Sequence, residues 1–216
     1  GVPVVVGADR LQAARRLLAE HPGVDILVSD DGLQHYRLRR DVELVLADSQ
    51  ALFGNGWLMP AGPLREPHSR LKRADALILS GQAMDSPPVG LPDGVAVFRV
   101  TRAFAGFRRL ADNAVRARLP ETTGREIQAV AGIARPDVFF RMLREMGLDF
   151  RARPFPDHFT FTPRDLDSGA TVVMTEKDAV KCAGFAGADW WAVQLRIVLP
   201  AEFTAWLRGR LAGKGK

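Results

Sequence analysis

The sequence predicts an α/β protein in two parts, each a mostly parallel sheet flanked by helices. Two observations carry that prediction. Short apolar runs rich in β-branched residues alternate with stretches of helical period on both sides of residues 102–122. Several runs, such as Leu44-Val45-Leu46 and Leu77-Ile78-Leu79, hold no polar residue, as strands covered on both faces do. The length of 216 residues suits one large domain or two small ones, and a 47% hydrophobic content can fill real cores. The boundary is expected near residues 102–122, which divides the chain into parts 1–110 and 111–216.

Taken in order, residues 4–6 read as a strand. Asp9 can cap a helix on which Leu11, Ala14, Leu17 and Leu18 recur at helical spacing, and Pro22-Gly23 ends it. Residues 24–28 form an apolar, β-branched run read as a buried strand. It stops abruptly at Ser29-Asp30-Asp31-Gly32-Leu33-Gln34-His35. A strand-to-loop turn accounts for one Asp and the Gly. It does not account for two acids, an amide and an imidazole together. Ligands of open parallel sheets sit beyond the carboxyl ends of strands, so this stretch is the leading candidate site. Residues 42–47 form another apolar strand that ends in an acid, Asp48.

The stretch from Phe53 to Pro67 holds three Gly and three Pro, so no regular element is expected there. Trp57, Leu58 and Met59 are poor choices for a disordered segment. An ordered loop showing them beside Arg65 and Glu66 suits an amphipathic ligand. A helix-like turn at 69–74 leads into a strand at 77–80. Residues 86–94 read as a turn-rich connector, and 95–101 alternate like a half-exposed strand. Residues 102–125 are basic and lack a strong period.

A second βα pattern follows. Residues 126–131 read as a strand leading into Gly132-Ile133-Ala134-Arg135-Pro136. Pro136 suits the first turn of a helix with an apolar face at Val138, Phe139, Met142, Leu143 and Met146. A short strand at 149–153 precedes Phe155-Pro156-Asp157-His158. A strand at 171–174 precedes Thr175-Glu176-Lys177-Asp178, which opens a helix with acids in its first turn. Residues 190–195 form the last strand and 201–211 a terminal helix.

The one cysteine, Cys182, excludes an internal disulfide and a multi-cysteine metal cage. The net charge is +5, with basic clusters at Arg37, Arg39 and Arg40, at Arg65, Arg70, Lys72 and Arg73, and at Arg99, Arg102, Arg108 and Arg109. Such clusters suit phosphates, anionic lipid surfaces or nucleic acid. With one Tyr, and aromatics not interleaved with the basic clusters, a nucleic-acid stacking platform is not expected. No apolar run reaches the ~18 residues of a membrane span. The chain starts at Gly1-Val2-Pro3, without Met, and runs straight into an apolar stretch, so a fragment is expected.

With these residues in view, the chain resembles the tetraacyldisaccharide 4′-kinases, the lipid A 4′-kinases of Gram-negative bacteria. The resemblance rests on five motifs in order: Asp30-Asp31-Gly32-Leu33-Gln34-His35-Tyr36; Phe53-Gly54-Asn55-Gly56-Trp57 with Pro60-Ala61-Gly62-Pro63-Leu64-Arg65-Glu66; Gly132-Ile133-Ala134 with Pro136; Phe155-Pro156-Asp157-His158; and Thr175-Glu176-Lys177-Asp178-Ala179. It implies a P-loop kinase-like α/β/α domain, here N-terminally truncated, joined by a β-strand linker to a smaller α/β/α domain. ATP and the lipid would meet in the cleft between them.

The implied reaction is ATP-dependent phosphorylation of the 4′-hydroxyl of a tetraacylated glucosamine disaccharide 1-phosphate. It would run at the cytoplasmic face of the inner membrane, on an anionic surface, with the lipid A precursor as partner and no nucleic acid. Asp30 and Asp31 would hold Mg²⁺, with Glu66 as a further carboxylate. Arg65 would contact phosphate oxygens in a forked geometry, and Gln34 and His35 would orient the site. His158 would assist deprotonation of the sugar hydroxyl, with Asp30 and Asp31 completing the catalytic set and domain closure bringing the parts together. The sequence departs from the family in two ways. No G-x-x-x-x-G-K-[ST] occurs in it, so little activity is expected of these residues alone. Phe159 follows His158 where many relatives carry His or Tyr. The alternatives are a basic nucleotide- or nucleic-acid-binding module without catalysis, and a metal-dependent phosphate-ester hydrolase using Asp30, Asp31, His35 and His158.

Overall fold

The computed structural model describes residues 1–49, 51–81, 91–120, 126–167 and 169–213. The chain divides into two compact units, Gly1–Thr101 with Leu199–Lys216, and Arg102–Val198.

In the first unit, helix α1 (Arg10–Glu20) starts where Asp9 accepts hydrogen bonds from the Leu11 and Gln12 amides. Strands β1 (Leu44–Asp48), β2 (Ala76–Ser80) and the first part of β3 (Ala96–Arg109) form a parallel ladder, with Leu44 beside Ala76 and Ala76 beside Ala96. A 3₁₀ turn, His68–Arg73, enters β2. Ala76, Leu77, Ile78 and Leu79 are all buried, as an apolar run covered on both faces requires.

The expected strands at 4–6 and 24–28 do not form. Val4 is 80% exposed and Val28 is 92% exposed. β-branched composition is only a preference; a strand exists through its ladder and the surface it packs on. Among the described residues no strand pairs with the outer edge of β1, where Leu46 is exposed. Asp30 and Asp31 are therefore held by turns and not by a strand end.

The second unit contains the later part of β3, then β4 (Val115–Arg116), β5 (Ile127–Ala131), β6 (Arg151–Pro154), β7 (Thr171–Thr175) and β8 (Trp190–Val198). Its order is β3-β8-β7-β5-β6, with β4 antiparallel to β3. The pairs β5–β6, β5–β7 and β7–β8 are parallel. Helix α2 (Pro136–Glu145) starts with Pro136 in its first turn and buries Phe139, Phe140 and Leu143 in a cluster with Val173, Trp191 and Phe107. Helix α3 (Glu176–Cys182) covers a second cluster with Val130, Met174 and Trp190.

The α/β class holds, and two expectations are corrected. Residues 95–101 do not end the strand: β3 runs on to Arg109, with Phe107 buried, so one strand leads from the first unit into the second. The connector at 86–94 lies mostly outside the described residues. Helix α4 (Ala201–Ala212) groups with the first unit, not with part 111–216, and the division falls at 101/102. Phe203 explains this, because it is buried against Phe98 with ring centroids 5.1 Å apart and shares a cluster with Ala76 and Ile78. Among the described residues no helix is long and apolar enough to cross a membrane.

Truncating Phe203 removes that contact. Phe203→Ala should cost about 3 kcal/mol and leave Ala76–Ser80 amides less protected from hydrogen exchange. Thr171–Thr175 amides should keep their protection; equal loss in both strands would count against the assignment of α4 to the first unit.

Candidate active site

In the first unit the segment after Val28 is a chain of tight turns. The His35 amide donates to the Gly32 carbonyl (3.0 Å) and the Leu38 amide to the His35 carbonyl (3.0 Å). Asp31 has φ 48°, a left-handed conformation that Asp tolerates better than most residues, and its side chain is 70% exposed. Asp30 is also exposed. His35 and Tyr36 line a cleft of about 420 Å³ with Asp9 and Leu11 at the start of α1.

The loop from Phe53 to Pro67 is ordered by its own backbone. Asn55 donates through Nδ2 to the Ala61 carbonyl (2.9 Å) and accepts from the Trp57 amide (3.1 Å). The Met59 amide donates to the Leu64 carbonyl and the Leu64 amide to the Trp57 carbonyl. Gly62 is required by close approach: a Cβ there would lie 2.4 Å from the Trp57 carbonyl oxygen. Trp57, Leu58 and Met59 stand exposed at the tip.

These two segments meet. Arg65 Nη1 lies 3.3 Å from Asp31 Oδ1 and 3.4 Å from Oδ2. Gln34 Nε2 donates to Glu66 Oε1 (3.0 Å), and the Tyr36 hydroxyl donates to Glu66 Oε2. Arg70 Nε lies 3.2 Å from the same Oε2. The Tyr36 hydroxyl holds the Glu66 carboxyl below its usual range. Burial opposes this, while Gln34, Arg70 and Arg40 add to the lowering.

Of the predicted metal set, Asp30 and Asp31 lie exposed, while Glu66 is held among protein groups. Both Glu66 oxygens are engaged by Gln34, Tyr36 and Arg70, and among the described residues no three His, Cys, Asp or Glu side chains converge on a metal position. The exposed pair Asp30 and Asp31 still fits Mg²⁺, which takes one or two carboxylates and keeps its waters. Gln34 orients Glu66. The sequence reading missed Tyr36, quoted only as part of a motif, and Arg70, seen only as one of a basic cluster.

In the second unit three motifs sit at the carboxyl ends of adjacent parallel strands: Gly132 after β5, Phe155–His158 after β6, and Glu176–Asp178 after β7. Asp178 is fully buried. Its Oδ2 accepts from the Gly132 amide (2.9 Å) and the Thr175 hydroxyl (2.7 Å), and its Oδ1 from Lys181 Nζ (2.9 Å). It ties the turn after β5 to the start of α3. From that start Lys177 Nζ reaches Asp157 Oδ1 (3.1 Å) and holds the Asp157 carboxyl below its usual range. His158, at φ 60° and 77% exposed, lies with Nε2 3.7 Å from Asp157 Oδ2.

Two outcomes follow from these contacts. Asp178→Ala takes the buried acceptor from the Gly132 amide and the ion-pair partner from Lys181, so urea unfolding should show a loss of about 3 kcal/mol. The lowered Glu66 carboxyl contributes stability that is full above its ordinary value near 4.5 and is lost as pH falls through its lower folded value. Tyr36→Phe should therefore lower the thermal midpoint at neutral pH by an amount that narrows in acid; a difference constant with pH would contradict this.

Comparison with known proteins bears on the family and the fold. The family model for tetraacyldisaccharide-1-P 4′-kinase matches residues 1–212. A tetraacyldisaccharide 4′-kinase of Thiobacillus denitrificans is 52% identical over 98% of this chain and 64% of its own length. One from Pseudomonas aeruginosa is 44% identical over 98% of this chain and 61% of its own. A crystal structure of LpxK from Aquifex aeolicus in complex with ATP superposes with a TM-score of 0.74 at 26% identity, covering 96% of this chain and 62% of that one. The chain thus spans under two thirds of the length of these relatives. With a family model covering nearly every residue and relatives about half identical throughout, the chain belongs to the tetraacyldisaccharide-1-P 4′-kinase family.

Proposed function

We propose that this chain is part of an enzyme that transfers the terminal phosphoryl group of ATP to the 4′-hydroxyl of a tetraacylated glucosamine disaccharide 1-phosphate. The observation that carries the reading is the meeting of Arg65 with Asp31 in the first unit. Their side chains are 61% and 70% exposed, and an ion pair so exposed contributes only about 0–1 kcal/mol. Stability is therefore a poor reason for the pair. Its two members part at little cost, which suits groups that turn to a phosphate and a cation.

Asp30 and Asp31 are the residues that would hold Mg²⁺. When bound, that ion neutralises charge on the phosphates during transfer. Arg65 presents its guanidinium fork to phosphate oxygens, and Gln34 and His35 set the turn from which Asp31 projects. His158 is proposed as the group that takes up the proton of the acceptor hydroxyl, with Asp157 beside it and Lys177 fixing Asp157. The apolar tip Trp57-Leu58-Met59 and the basic clusters support work at an anionic lipid surface, proposed as the cytoplasmic face of the inner membrane.

The test uses the full-length protein of which this chain is part, with ATP, Mg²⁺ and the acylated disaccharide. Phosphate should appear on the sugar only when ATP is present. His158→Ala should lower kcat roughly 10²–10⁴-fold and leave ATP affinity nearly unchanged. Asp30→Ala should instead raise the Mg²⁺ requirement. Weakened ATP binding with turnover spared in His158→Ala would remove the histidine from the acceptor side. ATP-independent release of phosphate from simple esters would replace the kinase reading with the hydrolase one.

A further inference from the structure

The turn segment that carries Asp30 and Asp31 has no helix or strand of its own, yet its position relative to Arg65 decides the site. Its anchoring leads to one largely buried carboxylate, Glu43, just before β1, whose side chain is 11% exposed. Arg40 Nη1 donates to Glu43 Oε2 (2.8 Å) and also to the Leu33 carbonyl (3.0 Å), inside the turn segment. Arg70 Nη2 donates to the same Oε2 (2.8 Å), and its Nη1 lies 2.7 Å from Oε1. The Nη1 contact, like that of Arg70 Nε with Glu66, is close but off-line, so Nη2 carries the straight hydrogen bond. Arg70 is 13% exposed and continues to Glu66, which Gln34 and Tyr36 meet from the turn segment. The guanidiniums of Arg40 and Arg70 also lie 5.7 and 5.9 Å from the Tyr36 ring centre. Glu43 is itself pinned: its amide donates to Asp75 Oδ2 (2.9 Å) at the entrance to β2, and Arg210 of α4 pairs with Asp75.

We propose that Glu43 and Arg70 are positioning residues of this site, fixing the Asp30–Tyr36 turns against the Arg65–Glu66 loop from the rigid ladder beneath. The inference rests on the phosphoryl-transfer reading above, but its geometry stands apart from it. An ion pair taken out of water contributes little net stability compared with apolar packing of the same volume. What it contributes is direction, because a guanidinium fork on a carboxylate tolerates little rotation. Both side chains are largely covered, and their contacts lead to the site through Glu66, Tyr36 and Leu33. The hydrogen bond to Glu43 also holds the Arg70 guanidinium more firmly protonated than usual, against the opposing effect of burial.

The experiment is made on the full-length protein with Glu43→Gln, Arg70→Lys and Arg70→Met. If the pair positions the site, Glu43→Gln and Arg70→Lys should raise KM for Mg²⁺-ATP about 10–100-fold, as outer partners of binding groups do, with KM for the acylated disaccharide unchanged. Arg70→Met should be worse than Arg70→Lys. Tyr36→Phe combined with Arg70→Lys should cost less than the sum of the two, because both act through Glu66. Hydrogen exchange at the His35, Tyr36 and Leu38 amides should quicken in each Glu43 and Arg70 variant. A KM for ATP within about twofold of wild type in all three variants would overturn the proposal, as would a fall in kcat with both KM values unchanged and a lowered thermal midpoint. Unchanged exchange at those amides would also overturn it. A wild-type protein that moves no phosphate from ATP would count against the kinase reading, and the exchange measurement would still decide the positioning.

Discussion

Glu66 is where the first unit's site is tied together. Its carboxylate receives Gln34 and Tyr36 from one segment and Arg70 from another, and its neighbour Arg65 reaches Asp31. Without this junction two loops of poor regularity would have little reason to meet. The turns from Ser29 to Tyr36 bury no large apolar side chain, and apolar burial is the usual source of position in a fold. Here charged and polar groups supply it instead.

The two kinds of ion pair in this unit illustrate different uses of the same chemistry. Glu43 and Arg70 are largely withdrawn from water, so either one left alone would be costly, and the pair persists as a unit. Asp31 and Arg65 stay in water, where each is solvated with or without the other. A buried pair holds geometry and an exposed pair remains available. A site that must grip a polyanion needs both, the first underneath the second.

The second unit solves a similar problem with a more regular frame. Parallel strands place the turns after β5, β6 and β7 at one end of the ladder, and the buried Asp178 locks two of them together. Lys177, carried by the same helical turn, then orders Asp157 next to His158. The left-handed φ of His158 is held by a hydrogen bond from its own amide to the Asp157 carboxylate. Order passes from a rigid ladder to a buried carboxylate and then to exposed groups, as in the first unit.

The sequence alone determined what local chemistry determines. Apolar runs without polar interruption marked β2 and β7, Asp9 and Thr175 marked helix starts, and the motif set marked the family. Acids, amides and imidazoles in unusual density marked the segments Asp30–His35 and Asp157–His158. Tertiary structure alone decided the rest. The run at 24–28 has the composition of a strand but no ladder, since pairing depends on a neighbour that local composition does not specify. The basic residues 102–109 show no strong period in the sequence, yet their backbone continues β3, because hydrogen bonding to β4 and burial of Phe107 outweigh weak alternation. Glu66 had the chemistry of a metal ligand, and only the arrival of Tyr36, Gln34 and Arg70 from distant positions engaged both its oxygens. Glu43 and Arg70 carried no motif at all. A carboxylate's role depends on which charges approach it in space, and residue order along the chain does not record that approach.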